Sequence, residues 1–394
     1  MDITLCLIVK DEIAYLDRCV NSVRGLVNQV VIIDTGSTDG TEQRARALAD
    51  VAMSVPFTGD FSAARNAALD RADGSWILFL DADERLPEHQ HTPLQASLAA
   101  ADDDLLGVRL MRYNFFATGG FYTGRELKVF RNHPQIRYRR RINESVSGAI
   151  QDLGGRVVPV PVVMNHFGHS RPVAVREAKA HRYLSLMAEH MEHNRDDAVV
   201  LGYRGLIERT LGNFDAALDQ SAQAVAAGPD LAITWFFRGH VLRSVGDDLG
   251  ALQAYGHGAK LAPEHAVLRN MIGLQLLALG DADAASGAFH TARRLDPQLL
   301  HTDINLGLVA QAEQRWADAA RLFLRAGEAN DGFWHEEWPG RVERDPFRAF
   351  YNETIFGYAG LGYHTGYCLL RARNDSSLSE AVRSQINSLI RGSA

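Results

Sequence analysis

Three acids stand within four positions, Asp81, Asp83 and Glu84, directly after the apolar run WILFL at 76–80. Two carboxylates flanking Ala82 could share one divalent ion, Mn2+ or Mg2+, of the kind that also takes substrate phosphate oxygens. The competing reading is a loop cap, because acids are common in turns. Their place just after a buried strand favours the metal. Asp34 closes VVIID at the head of a Gly/Ser/Thr loop and has two readings, an acceptor for a nucleobase or ribose, or a turn-forming Asp. Asp11 and Glu12 carry the same pair of readings. No GxGxxG follows the first apolar run and no GxxxxGK[ST] occurs, so dinucleotide and P-loop sites lose their main support.

These acids need strands to hold them. Runs at 3–9, 30–34, 51–55 and 76–80 are apolar throughout, and helical spacing separates them: Leu16, Cys19, Val20 and Val23, then Phe61, Ala64, Ala67 and Ala68. Asp39 is the expected cap of the intervening helix, with Glu42 as its capping-box partner. Continuous apolar strands separated by helices predict a parallel sheet covered on both faces, whose ligands lie off the carboxyl ends of the strands. Asp34 and Asp81 stand at such ends. LLGVRLMRYNFF, RELKVFRN and RVVPVPVVMNHF continue as strands of the same domain, and from Val173 the chain turns helical.

Beyond residue 196 the sequence repeats. Gly212, Gly246 and Gly280 recur every 34 residues, as do Pro229, Pro263 and Pro297, and a fourth copy has lost the Gly at Gln314-Arg315. This period resembles the tetratricopeptide signature, a solenoid of helix pairs whose concave surface binds peptides or proteins. The aromatic-rich stretch 333–394 is expected to cap the solenoid.

Composition excludes several classes. The 394 residues are 46% hydrophobic and 23% charged with a net charge of −7, which argues against a protein that coats nucleic acid. Three cysteines without a CxxC predict a reducing compartment and neither a disulfide framework nor a zinc site. No apolar run reaches the length of a membrane span, and MDITLCLIVKDE shows neither a basic n-region nor a cleavage site, so a cytoplasmic protein is expected.

LCLIVKDE (5–12), VVIIDTGSTDGT (30–41) and DFSAARNAALDRADGSWILFLDADE (60–84) together resemble the family 2 glycosyltransferases, in the bacterial branch that couples this domain to tetratricopeptide repeats. The resemblance continues more weakly through RELKVFRN, RINE and NHFGH. It implies an α/β GT-A fold, Rossmann-like with a mainly parallel sheet, followed by an all-α solenoid. It also implies site residues. Val9, Glu12 and Asp34 match positions near the nucleoside, and Arg65 one near the diphosphate. Asp81 matches the ribose-side acid and Asp83 the metal-side acid of the D-x-D, so that Asp81, Asp83 and His166 form the implied metal set, with His169 an alternate. The alternative for His166 is a hydrogen-bonded histidine at a strand end. Glu144 is implied as the base, with Glu84 and Asp83 as rivals; its blander reading is a salt bridge to the run Arg137, Arg139, Arg140 and Arg141. Members of the branch often have His-Glu where this chain has Asn143-Glu144, which puts any role of that His in doubt.

The expected organisation is a transferase domain over 1–172, a connector over 173–196, repeats over 197–332 and a capping region over 333–394. The expected activity is inverting transfer of a hexose-type sugar from a nucleoside diphosphate sugar, UDP-sugar favoured, with Mn2+ or Mg2+, to a peptide or protein held by the repeats. A lipopolysaccharide or other glycan acceptor is the alternative, and a scaffold with an inactive transferase domain the alternative of another class. A homodimer is compatible with either.

Overall fold

The computed structural model describes residues 2–115, 121–328, 367–374 and 378–392, which divide into two compact units. The first ends its main span at Arg171 and adds Ser185–His193; the second takes in Pro172–Leu184 and the chain from Asn194. The aromatic segments FWHEEW and FYNETIFGYAGLGYHTGY, expected to cap the repeats, lie almost wholly outside the described residues.

The first unit is built on an eight-stranded sheet in the order β3-β2-β1-β4-β7-β6-β8-β5. Strands β1 (Ile3–Val9), β2 (Gln29–Asp34), β3 (Val51–Ser54) and β4 (Trp76–Phe79) are mutually parallel where they pair. Strand β7 (Phe121–Arg131) runs antiparallel to β4, and β6 (Leu105–Phe115) runs parallel to β8 (Arg156–His166). The two-residue β5 (Glu84–Arg85) returns the acidic loop to the sheet by pairing Glu84 with His166. Alternate residues of the apolar strands serve opposite faces. Leu5, Leu7, Ile32 and Leu78 pack with Leu16, Cys19, Val20 and Val23 of α1 (Leu16–Val23). Cys6, Val31, Ile33, Ile77 and Phe79 pack on the other side with Ala68 and Leu69 of α3 (Phe61–Leu69). That double burial is the physical reason these strands carry no polar alternation.

Helix α2 (Thr41–Leu48) corrects one expectation. Its N-cap is Gly40, at φ 95°, and no side chain caps it. Asp39 instead accepts from the Thr41 N–H (3.0 Å) and from the Ile13 N–H (3.2 Å), and so ties the loop after β2 to the loop after β1. Helices α4 (His91–Ala99) and α5 (Ser147–Asp152) complete the unit.

In the second unit α6 (Val173–His193), part of which belongs to the first, is followed by four helix pairs. They are α7 (Ala198–Thr210) with α8 (Phe214–Ala227), α9 (Ala232–Ser244) with α10 (Asp248–Leu261), α11 (Ala266–Ala278) with α12 (Ala282–Leu295), and α13 (Leu300–Ala312) with α14 (Trp316–Glu328). The turn within each pair needs a left-handed residue, and Gly212, Gly246 and Gly280 adopt φ of 83°, 79° and 87°. Where the fourth copy lacks glycine, Gln314 takes the same conformation at φ 59°. A further helix, α15, spans Glu380–Gly392. All three cysteines are buried thiols, and no described helix is long and apolar enough to cross a membrane.

Candidate active site

Strands β1, β2 and β4 run parallel, so Val9, Asp34 and the residues after Phe79 emerge along one edge, with Val9 in register with Asp34. The Val9 carbonyl is spent on the Thr35 N–H (2.9 Å) and hydroxyl (3.0 Å). Asp34 is 2% exposed, and its Oδ1 accepts from the N–H groups of Gly36 (2.9 Å) and Ser37 (3.0 Å). That is the turn-forming role. Its Oδ2 is buried without a hydrogen-bond partner among the described residues. Burying an acceptor unpaired costs roughly 1–3 kcal/mol, so this oxygen retains unmet acceptor capacity.

The D-x-D does not point two acids at one place. Strand β4 ends at Phe79, and the chain then turns, with the Glu84 N–H donating to the Asp81 carbonyl at 2.9 Å. The two-residue alternation of a strand stops there, and Asp81 and Asp83 join different clusters. In the first, Asp81 Oδ1 accepts from Arg65 Nη2 (3.1 Å) and Oδ2 from Lys128 Nζ (3.2 Å). Arg65 also donates through Nε to Glu144 Oε1 at 2.7 Å. Its guanidinium lies 4.5 Å from the Phe79 ring centroid and 5.3 Å from that of Tyr138. Burial alone would lower the Arg65 pKa, but Asp81 and then Glu144 more than offset it, so the group is held charged. Lys128 also donates to Glu84 Oε2 at 2.6 Å, and Arg112 approaches Glu84 Oε1 at 3.4 Å. Glu84 is wholly buried; desolvation raises its pKa, with Lys128 pulling against it. A carboxylate so enclosed anchors the turn through the Asp81 N–H (2.9 Å) and does not serve as an accessible base.

The second cluster gathers Asp83, His166, Glu12 and Arg171. Arg171 Nη2 donates both to Asp83 Oδ2 and to Glu12 Oε2, each at 2.7 Å, while its guanidinium stacks 4.4 Å from the Tyr15 ring centroid. Asp83 Oδ1 faces His166 Nε2 at 3.6 Å. A side chain at Gly168 would place its Cβ 2.6 Å from that Nε2 and 3.0 Å from Asp83 Oδ2, so only glycine leaves the space beside the two donors open. The His169 ring meets the His166 ring edge-on at 5.5 Å.

The implied metal set is therefore split. Asp83 and His166 face one another, whereas both Asp81 oxygens face cations, and no described group of three or more His, Cys, Asp and Glu converges on a point. Glu144 is held by Arg65 and not by the adjacent arginine run that its blander reading invoked. Arg137 pairs with Asp70, Arg139 with Asp152 and Arg141 with Glu189, leaving Arg65 as the residue on Glu144. Lys128, Arg112, Arg171, Asn114 and Gly168 were not singled out from sequence. Lys128 sits inside RELKVFRN, and Gly168 inside NHFGH with Arg171 two residues past its end, so the motifs were visible while the individual roles were not.

Residues 4–156 match the Glycosyl transferase family 2 model, a stretch that contains Asp34, Arg65, the D-x-D and Glu144. Its N-terminal domain is thus similar to the family 2 glycosyltransferases. The chain is 31% identical over 241 residues to a TPR repeat-containing protein of Synechococcus elongatus, covering 59% of each chain. It is 29% identical to the lipopolysaccharide core biosynthesis glycosyltransferase LpsC of Rhizobium meliloti, over 46% of this chain and 69% of that one. With the SPbeta prophage-derived glycosyltransferase SunS of Bacillus subtilis it shares 22% identity over 57% of its own length and 53% of the relative's. The chain thus spans about three fifths of the length of the Synechococcus relative and about half that of the Bacillus one.

Proposed function

We propose that this glycosyltransferase moves a hexose-type sugar, with inversion, from a nucleoside diphosphate sugar to a peptide or protein side chain in the cytoplasm. The observation that carries the donor reading is the unspent, buried Asp34 Oδ2 at the carboxyl edge of the sheet. An acceptor oxygen there suits the ring N–H of a nucleobase, and uracil presents one, so a UDP-sugar is favoured. Glu12 lies on the same edge and, through Arg171, connects the nucleoside side to Asp83.

The residues fit a divalent cation. Asp83 supplies a hard oxygen and His166 an imidazole nitrogen, and phosphate oxygens of the donor would complete the shell. A bound ion would neutralise the charge that develops on the departing diphosphate. Arg65 fixes one oxygen of Glu144, and among the described residues no hydrogen bond engages the other. That second oxygen is the group to take the proton of the attacking acceptor. Arg65 ties this base to Asp81, and so to the loop that must hold the donor.

A peptide acceptor follows from the repeats, whose stacked helix pairs suit an extended protein segment. A glycan acceptor is the second reading, favoured by the similarity to LpsC. The deciding experiment measures nucleotide release from UDP- and GDP-sugars, with and without Mn2+, for the intact chain and for Asp83→Ala. We expect metal-dependent release that falls at least roughly 100-fold in the variant. If no nucleotide sugar binds or turns over under any metal condition, the enzyme reading gives way to that of a scaffold.

A further inference from the structure

We propose that Asn114 is a positioning residue that presets the His166 tautomer and so turns the Asp83–His166 pair into a seat for a nitrogen-tolerant divalent cation. The inference rests on the donor-site reading above and adds a residue that neither the family match nor the D-x-D singles out.

Asn114 lies in β6, directly opposite His166 of β8 in the sheet register, and is 0% exposed. Its Oδ1 stands 2.7 Å from His166 Nδ1. Its Nδ2 faces the Arg112 carbonyl at 3.5 Å, and with the amide in this orientation its oxygen is the atom toward the ring. An amide oxygen only accepts, so Nδ1 carries the proton. A neutral ring then bears its lone pair on Nε2, the nitrogen 3.6 Å from Asp83 Oδ1. Arg171 holds the other Asp83 oxygen, which leaves Oδ1 as the one turned to the imidazole. A cation seated between Oδ1 and Nε2 would be ligated by both. Gly168 keeps the adjoining space clear of a side chain. Ligating histidines commonly donate their second nitrogen to a carbonyl or carboxylate, and loss of that partner costs roughly 10- to 100-fold in metal affinity. The nitrogen donor suits Mn2+ better than Mg2+.

The test titrates Mn2+ into the full-length protein with UDP present and follows free Mn2+ by electron paramagnetic resonance, comparing the parent with Asn114→Ala and Asn114→Asp. Ring 15N NMR of His166 in the metal-free proteins reads the tautomer. Asn114→Ala is expected to weaken Mn2+ binding roughly 10-fold or more and to mix the tautomers. Asn114→Asp, whose carboxylate also accepts from Nδ1–H, is expected to keep both properties near those of the parent, which a merely structural role for Asn114 would not produce. Unchanged Mn2+ affinity in Asn114→Ala, an Nε2–H tautomer in the parent, or failure of Asn114→Asp to restore binding overturns the inference. Failure of the parent itself to bind Mn2+ overturns it as well, yet leaves the transferase reading standing if nucleotide sugars are still turned over without metal.

Discussion

The two units solve their packing at different ranges of sequence. In the repeats every landmark answers to a neighbour a fixed distance along the chain. Gly239, Gly273 and Gly307 each face the ring sixteen residues on, Tyr255, Phe289 and Phe323, and a Cβ at these glycines would lie 2.4–2.6 Å from it. Gly205 occupies the same phase, but there the residue sixteen on is Ser221, and a Cβ would meet no ring, its nearest neighbours being the Ala217 carbonyl at 3.2 Å and the Ser221 nitrogen at 3.3 Å. In the sheet unit the site is assembled from pairs separated by 79 residues (Arg65–Glu144), 88 (Asp83–Arg171) and 159 (Glu12–Arg171). A solenoid therefore confines an error to one repeat, whereas the sheet unit makes each charged side chain answerable to several distant segments.

The contrast can be broken first at Lys128. Its ammonium is buried between Asp81 and Glu84, so Lys128→Met strands a wholly buried carboxylate. The expected loss is about 3–5 kcal/mol, measured by urea unfolding of the sheet unit's signal. Adding Glu84→Leu should recover most of it; a Lys128→Met protein as stable as the parent would show that the charge ladder carries little weight.

A smaller effect is expected at Gly273. Substitution by Ala forces the Phe289 ring to move and should cost about 1–3 kcal/mol in the melting of the repeats, while donor turnover stays within a few fold of the parent. A cost that spread into the donor site would erase the distinction between the units. The smallest effect is of opposite sign. Gln314→Gly relieves a left-handed backbone at φ 59° and should stabilise the fourth repeat by on the order of 0.5 kcal/mol, visible as a small rise in its melting temperature.

Those ranges also explain what could be read before the fold was known. The strands of 3–9, 30–34 and 76–80 were legible because burial on both faces leaves an uninterrupted apolar run, and the repeats because their contacts recur at a constant spacing. Asp34, Asp83, Arg65 and Glu144 were legible as candidates through motif resemblance. Their partners were not. Nothing local to Glu144 indicates that Arg65 holds it, since four arginines lie much nearer in sequence. Nothing near Asp81 announces the turn that separates it from Asp83, because Ala82 is compatible with strand and turn alike. Asp39 reads as a helix cap because a capping-box spacing is satisfied by residue type alone, whereas Gly40 takes the cap through its backbone conformation.

The buried thiols give the two units separate clocks. Desolvation raises the Cys6 and Cys19 thiols, and Cys19 further feels the acids Glu84, Asp83 and Asp81, while burial pushes Cys368 up to about 11. None is appreciably a thiolate in the folded protein at neutral pH, so an alkylating reagent must wait for each to open to solvent. Trapping of Cys6 and Cys19 then times the opening of the sheet, and trapping of Cys368 that of the helical unit, in the same unlabelled molecule. The native sequence thus carries an internal measure of which unit yields first when a ligand is added.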